Sequence, residues 1–459
     1  MIFEQHYLEC LSQASYFIGD ESSRRAVVVD PRRDVSEYLE SAAEHAMSIE
    51  LVLETHFHAD FLSGHLELAA ATGATIAYGD RAETEFESRK LADGERIELG
   101  EVVLEIRHTP GHTPESISIV VYENADSAPY AVLTGDTMFI GDVGRPDLLS
   151  SKGVTSEELA GSLYDSLHEK LLVLPDETRV YPAHGAGSSC GKNLSSDTWS
   201  TIGVQRESNY ALAPMTKDEF VEVVTEGQSA PPAYFAYDAD LNRHLRPLLD
   251  EMSPPPMMTM AEVVAAQADG AVVLDARGPV DFASGHVRDS INVGMAGRYA
   301  EFAGGILEPD DRIVIVAEEG RVLEAKNRLG RIGFDSVIGQ LADPEQAMAD
   351  NPDSLTRGRR CDVSGLQEAI STTENLQLVD VRQPGETEGG VIEGAILIPL
   401  TKLSSDFRTL DATRPTLVYC AGGFRSSIAA SYLVANGFPD VTDLLGGYGA
   451  YETAVAPTV

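Results

Sequence analysis

The first residues suited to chemistry lie in the stretch ETHFHADFLSGH (residues 54–65), where histidines alternate with other residues. His56, His58 and Asp60 have the short spacing of a metal-binding loop, because imidazole and carboxylate groups are common metal ligands. Phe61 stands where a two-metal loop of the form HxHxDH has its last histidine. An aromatic ring cannot ligate, so the loop indicates either a lost site or a site for one metal ion and different chemistry.

Further candidate ligands follow apolar stretches along the chain. His112 lies in TPGHTPES, Asp136 in LTGDTMF and His184 in YPAHGAG. Polar residues just past strand ends are well placed for a site built on loops over a rigid sheet. The four loops together predict a metal site, and the histidines outside them are interpreted as ordinary hydrogen-bonded or exposed residues.

A second candidate centre lies in LVYCAGGFRSSIAASYL (residues 417–433). Cys420 ends an apolar strand, and a glycine-rich loop leads through Arg425 into a helical pattern. Backbone N–H groups and a helix N-terminus stabilise negative charge there, which favours a reactive thiolate and a persulfide sulfur. Because the four cysteines form no CxxC pair, a disulfide scaffold and a cysteine zinc site are not expected.

The elements around these residues predict three α/β segments. A chain of 459 residues is long enough for roughly three domains. The proline-rich EMSPPPMMTM and the polar stretch at 342–362 are typical of linkers. We therefore expect domains at 1–250, 257–350 and 360–459.

The last two segments are related in sequence and predict a duplicated α/β domain with a parallel sheet. Residues 271–293 parallel 376–398, and 313–325 parallel 417–429. Aligned without gaps, Cys420 falls opposite Val316, in a loop that has two glutamates and no thiol. Glutamates repel an anionic sulfur donor, so the first copy is interpreted as catalytically inactive.

Composition limits the partners of this protein. The formal net charge of −39 makes nucleic acids and anionic membranes improbable partners. No stretch approaches the ~20 apolar residues of a membrane span. The N-terminal sequence lacks the pattern of a signal peptide, so a cytoplasmic location is expected. The sequence is compatible with a homo-oligomer and leaves the oligomeric state open.

The order THxHxD, GHT, GD and PAH resembles the metallo-β-lactamase superfamily, an αββα sandwich with metal at its strand ends. GDVGRPDLL, GHTPES and the run at 164–185 are similar to its mononuclear persulfide dioxygenases. The resemblance covers residues 1 to about 240 and implies one Fe(II) per chain. The residues it assigns to the iron are His56, His112 and Asp136.

The same resemblance implies roles for residues around the iron. It places His58, Asp60 and His184 beside the ligands, which they position through hydrogen bonds. Arg145 is expected to organise the rim of the site, with a surface arginine as the alternative. Cys190 is expected close to the substrate, with a simple buried thiol as the alternative.

Residues from about 365 to 455 resemble the rhodanese family, in which a C-x(4)-R-S/T loop carries sulfur on its cysteine. VDVRQPGE (379–386) matches the upstream signature of that family. The resemblance implies that Cys420 is catalytic. The residues that it assigns to the persulfide-binding loop are Ala421, Gly422, Gly423, Phe424 and Arg425.

Together these features predict a persulfide dioxygenase fused to a sulfurtransferase for sulfide detoxification. The expected small-molecule partners are a thiol persulfide, O2 and sulfite or thiosulfate, and the thiol is left open. Two rivals remain: a dinuclear zinc thioester hydrolase of the glyoxalase II type, and a non-catalytic persulfide-binding module. Phe61 is interpreted as disfavouring a second zinc, with a plain core residue as the alternative.

Overall fold

The polypeptide divides into two compact units. The computed structural model describes residues 1–148, 153–228 and 231–455. Unit 1 comprises Met1–Leu249 and Arg331–Gly333, and unit 2 comprises Asp250–Gly330 and Phe334–Val459. The finer division into three domains stays a prediction. No helix among the described residues is long and apolar enough to cross a membrane.

Unit 1 contains two six-stranded sheets. The strands of the first are β1 (Ile2–Leu8), β2 (Gln13–Asp20), β3 (Arg25–Val29), β4 (Ser48–Leu53), β5 (Thr75–Gly79) and β6 (Arg89–Leu91). Those of the second are β7 (Arg96–Glu98), β8 (Val103–His108), β9 (Ile117–Tyr122), β10 (Ala131–Gly135), β11 (Arg179–Pro182) and β12 (Ser200–Thr201). The sheets have the orders β1-β2-β3-β4-β5-β6 and β12-β11-β10-β9-β8-β7.

Both sheets of unit 1 are mixed. In the first, β1, β2 and β3 pair antiparallel, whereas β3 to β6 pair parallel. In the second, β10 and β11 are the parallel pair among antiparallel neighbours. β2, β9 and β10 are buried along their whole length, and β9 and β10 accordingly have mostly apolar sequences, ISIVVY and AVLTG, rather than alternating ones.

Helices cover the outer faces of the two sheets. They are α1 (Ser36–Glu44), α2 (His65–Thr72), α3 (Ser156–Asp165), α4 (Ile202–Ser208), α5 (Lys217–Thr225) and α6 (Phe235–Leu241). Val29 and Leu53 of the first sheet pack with Leu104 and Leu133 of the second in one buried cluster. Separate clusters join the first sheet to α1 and α2, and the second to α3 and α5. The layers are therefore αββα, which confirms the predicted architecture.

Unit 2 contains two five-stranded sheets, one in each sequence repeat, and a two-stranded one. Its strands are β13 (Met257–Met258), β14 (Val272–Asp275), β15 (His286–Val287), β16 (Ile291–Asn292), β17 (Ile313–Val316), β18 (Val337–Leu341), β19 (Leu355–Thr356), β20 (Arg359–Cys361), β21 (Gln377–Asp380), β22 (Ile396–Leu397), β23 (Thr416–Tyr419) and β24 (Val441–Leu444). The orders are β13-β18-β17-β14-β16 and β20-β24-β23-β21-β22. Every pairing within these two sheets is parallel, as predicted.

The helices of unit 2 alternate with its strands. They are α7 (Met260–Ala268), α8 (Pro279–Ser284), α9 (Tyr299–Gly304), α10 (Val322–Gly330), α11 (Pro344–Asp350), α12 (Val363–Thr372), α13 (Leu400–Asp406), α14 (Phe424–Ala435) and α15 (Gly447–Val455). Thr259 starts α7 with a capping box, in which its hydroxyl accepts from the Glu262 N–H and the Glu262 carboxylate accepts in return. This strand–helix alternation puts the loops that follow β17 and β23 at the carboxyl edge of each sheet.

Candidate functional site

The three residues expected to hold iron lie beyond three strand ends of unit 1. β4 ends at Leu53 ahead of His56, β8 ends at His108 ahead of His112, and Asp136 follows β10 directly. Their ligand atoms all lie within 4.8 Å of one another. All three side chains are buried, so the triad of His56, His112 and Asp136 is assembled by the sheets in a site shielded from solvent.

The spacing of the triad fits one metal ion. Asp136 Oδ2 lies 3.8 Å from His56 Nε2 and 3.5 Å from His112 Nε2. These distances exceed those of hydrogen bonds, and this buried Oδ2 has no hydrogen-bond partner in the described ranges. Metal–ligand bonds of ~2.1 Å place two ligand atoms of one ion ~3 to ~4 Å apart. An orphaned carboxylate oxygen between two imidazole nitrogens therefore suits a bound cation.

Hydrogen bonds from the far side of each imidazole leave its Nε2 directed at Asp136. His112 Nδ1 donates to the backbone carbonyl of Arg145 at 2.9 Å. His56 Nδ1 contacts Thr55 Oγ1 at 2.9 Å, and burial lowers the pKa of His56 well below its usual range. A neutral imidazole with a proton on Nδ1 presents a lone pair on Nε2, which is the form that binds metals.

His184 lies between Asp60 and Asp136, the carboxylate of the triad. Its Nδ1 lies 2.7 Å from Asp136 Oδ1, and its Nε2 lies 2.8 Å from Asp60 Oδ2. Burial alone lowers the pKa of His184, but these two carboxylates raise it well above the usual value. His184 thus fixes one oxygen of Asp136 and leaves the other for the metal position.

Cys190 joins Asp60 and His184 in a second buried cluster. One ligand atom from each lies within 4.8 Å of the others, so thiol, carboxylate and imidazole are arranged as a potential second metal site. Burial raises the pKa of Cys190 well above its usual value, and the charges of Asp60 and Asp136 add to that effect. The sequence pointed to Cys190 as a thiol near the substrate, and the structure places it beside the triad.

His58 turns away from the triad toward two acidic residues. Its Nε2 lies 3.1 Å from Asp30 Oδ1 and 3.6 Å from Glu54 Oε2, and all three side chains are fully buried. Asp30 also accepts from the Thr55 amide and hydroxyl at 2.7 and 2.8 Å. Burial and the charge of Asp30 raise the pKa of Glu54 well above its usual value. This cluster braces the loop that carries His56.

Asp30 and Glu54 were missed as site residues from the sequence. A signal exists, because each stands directly after a buried apolar strand, in VVVDP and LVLET. Acidic residues at such positions must be paired or hydrogen-bonded, since an isolated buried carboxylate is costly.

Phe61 is fully buried and packs on histidines of the site. Its ring centroid lies 4.3 Å from that of His58 and 6.4 Å from that of His184. The Asn242 side chain donates to the carbonyls of His58 and Phe61 at 2.8 Å each. The ring fills space in the wall beside the second cluster, where it supplies no ligand.

Arg145 is buried, not a surface residue, and it connects two parts of the site. Its guanidinium donates twice to Asp147 at 2.7 Å and once to the Ser189 carbonyl at 3.2 Å. Its backbone N–H donates to the Cys190 carbonyl at 2.9 Å, and its own carbonyl holds His112. Residue 149, at the end of the motif that contains Arg145, lies outside the described residues.

In unit 2, residues 420–425 run from the end of β23 into the first turn of α14 and are here termed the Cys420 loop. The Gly423 N–H donates to Cys420 Sγ at 3.1 Å, and the Ser426 hydroxyl lies 3.6 Å from the same sulfur. Gly423 has a φ of 93°, a conformation that only glycine adopts without strain. The sulfur is buried at the start of α14, close to the backbone amide of Gly423.

Arg425 and Arg382 are held by carboxylates near the Cys420 loop. Arg425 donates to both Glu386 oxygens at 2.6 and 2.7 Å. Arg382 forms a buried pair with Asp380, with N–O distances of 2.6 to 3.0 Å. Asp380, Arg382 and Glu386 belong to the VDVRQPGE motif, so this motif holds Arg425 from the end of the neighbouring strand β21.

The sheet register corrects the ungapped alignment of the two repeats. Asp275 pairs with Val316 as Asp380 pairs with Tyr419, so Ala317, not Val316, corresponds to Cys420. Residues 317–321 precede α10 in the first repeat, whereas residues 420–423 precede α14 in the second. The first repeat thus offers a methyl group where the second offers a thiol.

Comparisons with known proteins agree with this architecture. The metallo-beta-lactamase superfamily model matches residues 8–184, and the rhodanese-like domain model matches residues 363–454. The persulfide dioxygenase ETHE1, mitochondrial, of Homo sapiens is 30% identical over 217 residues, which is 46% of this chain and 75% of that protein. The chain belongs to the metallo-beta-lactamase superfamily. It adds a C-terminal rhodanese-like domain to that fold.

Two further proteins are similar to this chain. A cytoplasmic hydroxyacylglutathione hydrolase of Arabidopsis thaliana is 33% identical over 181 residues, or 39% of this chain and 66% of that protein. The crystal structure of a metallo-beta-lactamase from Staphylococcus aureus is 32% identical with a TM-score of 0.67. That likeness covers 74% of this chain and 98% of the other.

Proposed function

We propose that unit 1 is a mononuclear iron persulfide dioxygenase and that the C-terminal domain is a sulfurtransferase that uses its product. In the first reaction R–S–SH, O2 and water give R–SH, sulfite and two protons. The outer sulfur is oxidised, O2 is reduced and the S–S bond breaks. The observation that carries the proposal is the buried triad of His56, His112 and Asp136 around one orphaned carboxylate oxygen.

The donor set favours iron over other metals. Two histidines and one carboxylate form the facial arrangement of non-haem Fe(II) oxygenases. Such an ion, when bound, supplies open positions for a thiolate sulfur and O2 and the electrons for oxygen activation. Zn²⁺ with these ligands lacks redox chemistry, so it suits hydrolysis instead.

Residues around the triad are proposed to disfavour a second ion. Both ring nitrogens of His184 lie near carboxylate oxygens, at 2.7 and 2.8 Å, so a proton shared with these oxygens competes with a second metal. Phe61 supplies no ligand beside them. We infer that His184 and Asp60 hold a proton between Nε2 and Oδ2 and so orient the carboxylate of Asp136.

Cys190 and Arg145 are proposed to act on the substrate side of the site. The Arg145 backbone bonds to both the imidazole of His112 and the carbonyl of Cys190, so the positions of these three residues are fixed relative to one another. The Cys190 thiol, buried beside Asp60 and His184, is suited to contact the outer sulfur of a persulfide.

In the second reaction Cys420 carries the sulfur. Its thiolate attacks the outer sulfur of R–S–SH, the S–S bond breaks, and R–S⁻ leaves with Cys420 as the persulfide. Sulfite then attacks that sulfur, so thiosulfate leaves and the thiolate returns. The N–H of Gly423 and the N-terminus of α14 stabilise the negative sulfur at each stage. The first repeat, with Ala317 at this position, is proposed to be inactive.

A second candidate function is a dinuclear zinc thioester hydrolase. The cluster of Asp60, His184 and Cys190 supports it, because those groups ligate zinc once deprotonated. The likeness to the hydroxyacylglutathione hydrolase points the same way. Metal analysis of the purified protein separates the two: the dioxygenase requires one iron per chain, and two zincs per chain would favour the hydrolase.

A further inference from the structure

Asp443 is a buried carboxylate in the repeat that carries Cys420. It lies on β24 and pairs in register with Val418 of β23, the strand that ends just before Cys420. The Arg360 guanidinium donates to Asp443 Oδ2 at 2.9 Å. The buried Oδ1 has no hydrogen-bond partner within the described parts of the chain. Asp443 therefore keeps one carboxylate oxygen that is able to accept a proton near the reactive sulfur.

Ser426 connects Asp443 to that sulfur. The Cys420 thiol donates to Ser426 Oγ at 3.6 Å, a long hydrogen bond of the kind that sulfur makes. Burial raises the pKa of Asp443 to about 6, and the Ser426 hydroxyl acts on the same carboxylate in the opposite direction. All three side chains are buried. Thiol, hydroxyl and carboxylate thus follow one another in the order in which a proton would leave the sulfur.

A cavity of about 150 Å³ lies beside Asp443 and is termed here the outlet cavity. Its lining includes the buried Ser427 and Ser431 of α14 and the exposed Arg357 and Arg359, so it extends from the interior to the surface of unit 2. One water needs ~15 Å³ of such a cavity and a few polar partners. The outlet cavity therefore gives Asp443 access to several water molecules that can take up a proton.

The first repeat, which lacks the thiol, also lacks this carboxylate. In the repeat that carries Cys420, Val418 of β23 pairs with Asp443. In the first repeat Ile315 of β17, the equivalent of Val418, pairs with Gln340. The Gln340 amide donates to a backbone carbonyl at 2.8 Å and cannot accept a proton as a carboxylate does. Thiol and carboxylate thus occur together in one repeat and are both absent from the same positions of the other.

We propose that Asp443 accepts the proton of Cys420 through Ser426 during sulfur transfer and releases it to water in the outlet cavity. This inference rests on the proposed sulfur transfer to Cys420. With thiosulfate as donor, the S–H bond of Cys420 breaks and its electron pair attacks the outer sulfur of thiosulfate. Sulfite leaves with the electrons of the broken S–S bond, Cys420 becomes the persulfide anion, and the proton ends on Asp443. Because Asp443 acts through Ser426, it is a positioning residue.

Asp443 is the group whose titration should set the pH dependence of this step. The groups that face it or line its cavity are Arg360 and Cys361 of β20, His286 of β15, Ser426 of α14, Cys420 at the end of β23, and Arg357 and Arg359. Arginine stays charged throughout. Burial lowers the pKa of His286 to about 4 and raises that of Cys361, so both are neutral where Asp443 titrates. The transfer should therefore slow as the pH falls through about 6 and Asp443 becomes protonated.

The test follows a single transfer of sulfur from thiosulfate to Cys420 in the full-length chain, over a range of pH and with O2 excluded. Thiosulfate does not titrate in this range. The wild-type rate should rise with a midpoint near pH 6. Asp443→Asn should move the midpoint to about pH 8.5, the usual value of a thiol, and lower the rate at neutral pH about 30-fold, since only ~3% of such a thiol is ionised there. At alkaline pH the two rates should converge, because the thiol then ionises without a base.

Three further variants serve as controls. Ser426→Ala breaks the connection and should move the midpoint as Asp443→Asn does, whereas Ser426→Thr keeps the hydroxyl and should restore it. Asp440→Asn removes a partly exposed carboxylate just before β24, which pairs with Arg359, and should leave the midpoint where it is. Thermal unfolding verifies that each variant keeps its fold, and Ser426→Ala carries the test if Asp443→Asn does not fold.

Two results would overturn the inference: a midpoint that stays near pH 6 in Asp443→Asn and Ser426→Ala, or a loss of rate that is equal at every pH, as expected if Asp443 only supports the fold. Failure of the proposed function is a separate outcome. Mass spectrometry of the intact wild type would then find no sulfur on Cys420 after thiosulfate or glutathione persulfide, whereas sulfur on Cys420 with an unmoved midpoint refutes the inference alone.

Discussion

Gly447 tests whether the position of the Cys420 loop governs sulfur transfer. It opens α15 with a φ of 57°, and the next two N–H groups donate to the carbonyls of Cys420 and Ala421 at 2.7 and 3.0 Å. A Cβ at residue 447 would lie 2.7 Å from the Ala421 carbonyl carbon and oxygen, and closer still to the Cys420 carbonyl oxygen. Gly447→Ala therefore forces the loop to move.

The size of the effect follows from that overlap. Ordinary carbon–oxygen contacts are near ~3.4 Å, so the loop must shift by ~0.7 Å or more. A misplacement of ~1 Å costs ~100-fold in rate at a reacting centre. We expect Gly447→Ala to lower the kcat of thiosulfate sulfurtransfer about 100-fold. Oxygen uptake with a persulfide should be unchanged, since the triad belongs to unit 1.

Gly437→Ala is the matched control. Gly437 also has a positive φ, 90°, but a Cβ there meets no atom within 4 Å. Both variants therefore share the left-handed strain of ~1 to ~2 kcal/mol, and the overlap with the loop distinguishes them. Equal losses of sulfurtransfer in the two variants, or a normal rate in Gly447→Ala, would refute the reasoning.

Three further predictions concern the reactive centres. His112→Ala should lose its iron and its oxygen uptake but keep sulfurtransfer, whereas His108→Ala, at the end of the strand that precedes His112, should keep both; loss of both activities in His112→Ala would contradict the assignment. Cys420→Ser should keep oxygen uptake and release mainly sulfite, measured against a control without enzyme; thiosulfate at the wild-type rate would place the sulfur carrier elsewhere. Phe61→His should gain affinity for a second divalent ion in a metal titration without gaining oxygen uptake, and a wild type already saturated with two metals would contradict this.

The sequence predicted the parts of the site that depend on strand ends. His56, His112 and Asp136 follow strands that are visible as apolar runs, and the sheets bring them together. Each of these residues lies within a few positions of its strand in the sequence, so spacing and residue type were sufficient to predict them. The Cys420 loop was predictable for the same reason, because its glycines and its helix follow the cysteine directly.

What the sequence did not reveal depends on side-chain direction and register. His58 has the spacing of a ligand, but its ring faces Asp30 and Glu54 across the buried loop. The pairing of Asp275 with Val316 moves the repeat alignment by one residue, which no ungapped comparison can detect. Arg145 acts on His112 through a backbone carbonyl, and its residue type carries no signal for that role.

Oxygen uptake tests the central claim most directly. The purified chain, with its metal content measured, is given a known amount of glutathione persulfide in an oxygen electrode, and sulfite plus thiosulfate is quantified. We expect one O2 to be consumed for each sulfur oxidised to sulfite, at a rate proportional to the bound iron, and we expect no uptake by His112→Ala. Thioester hydrolysis by a two-zinc protein that consumes no O2 would contradict it.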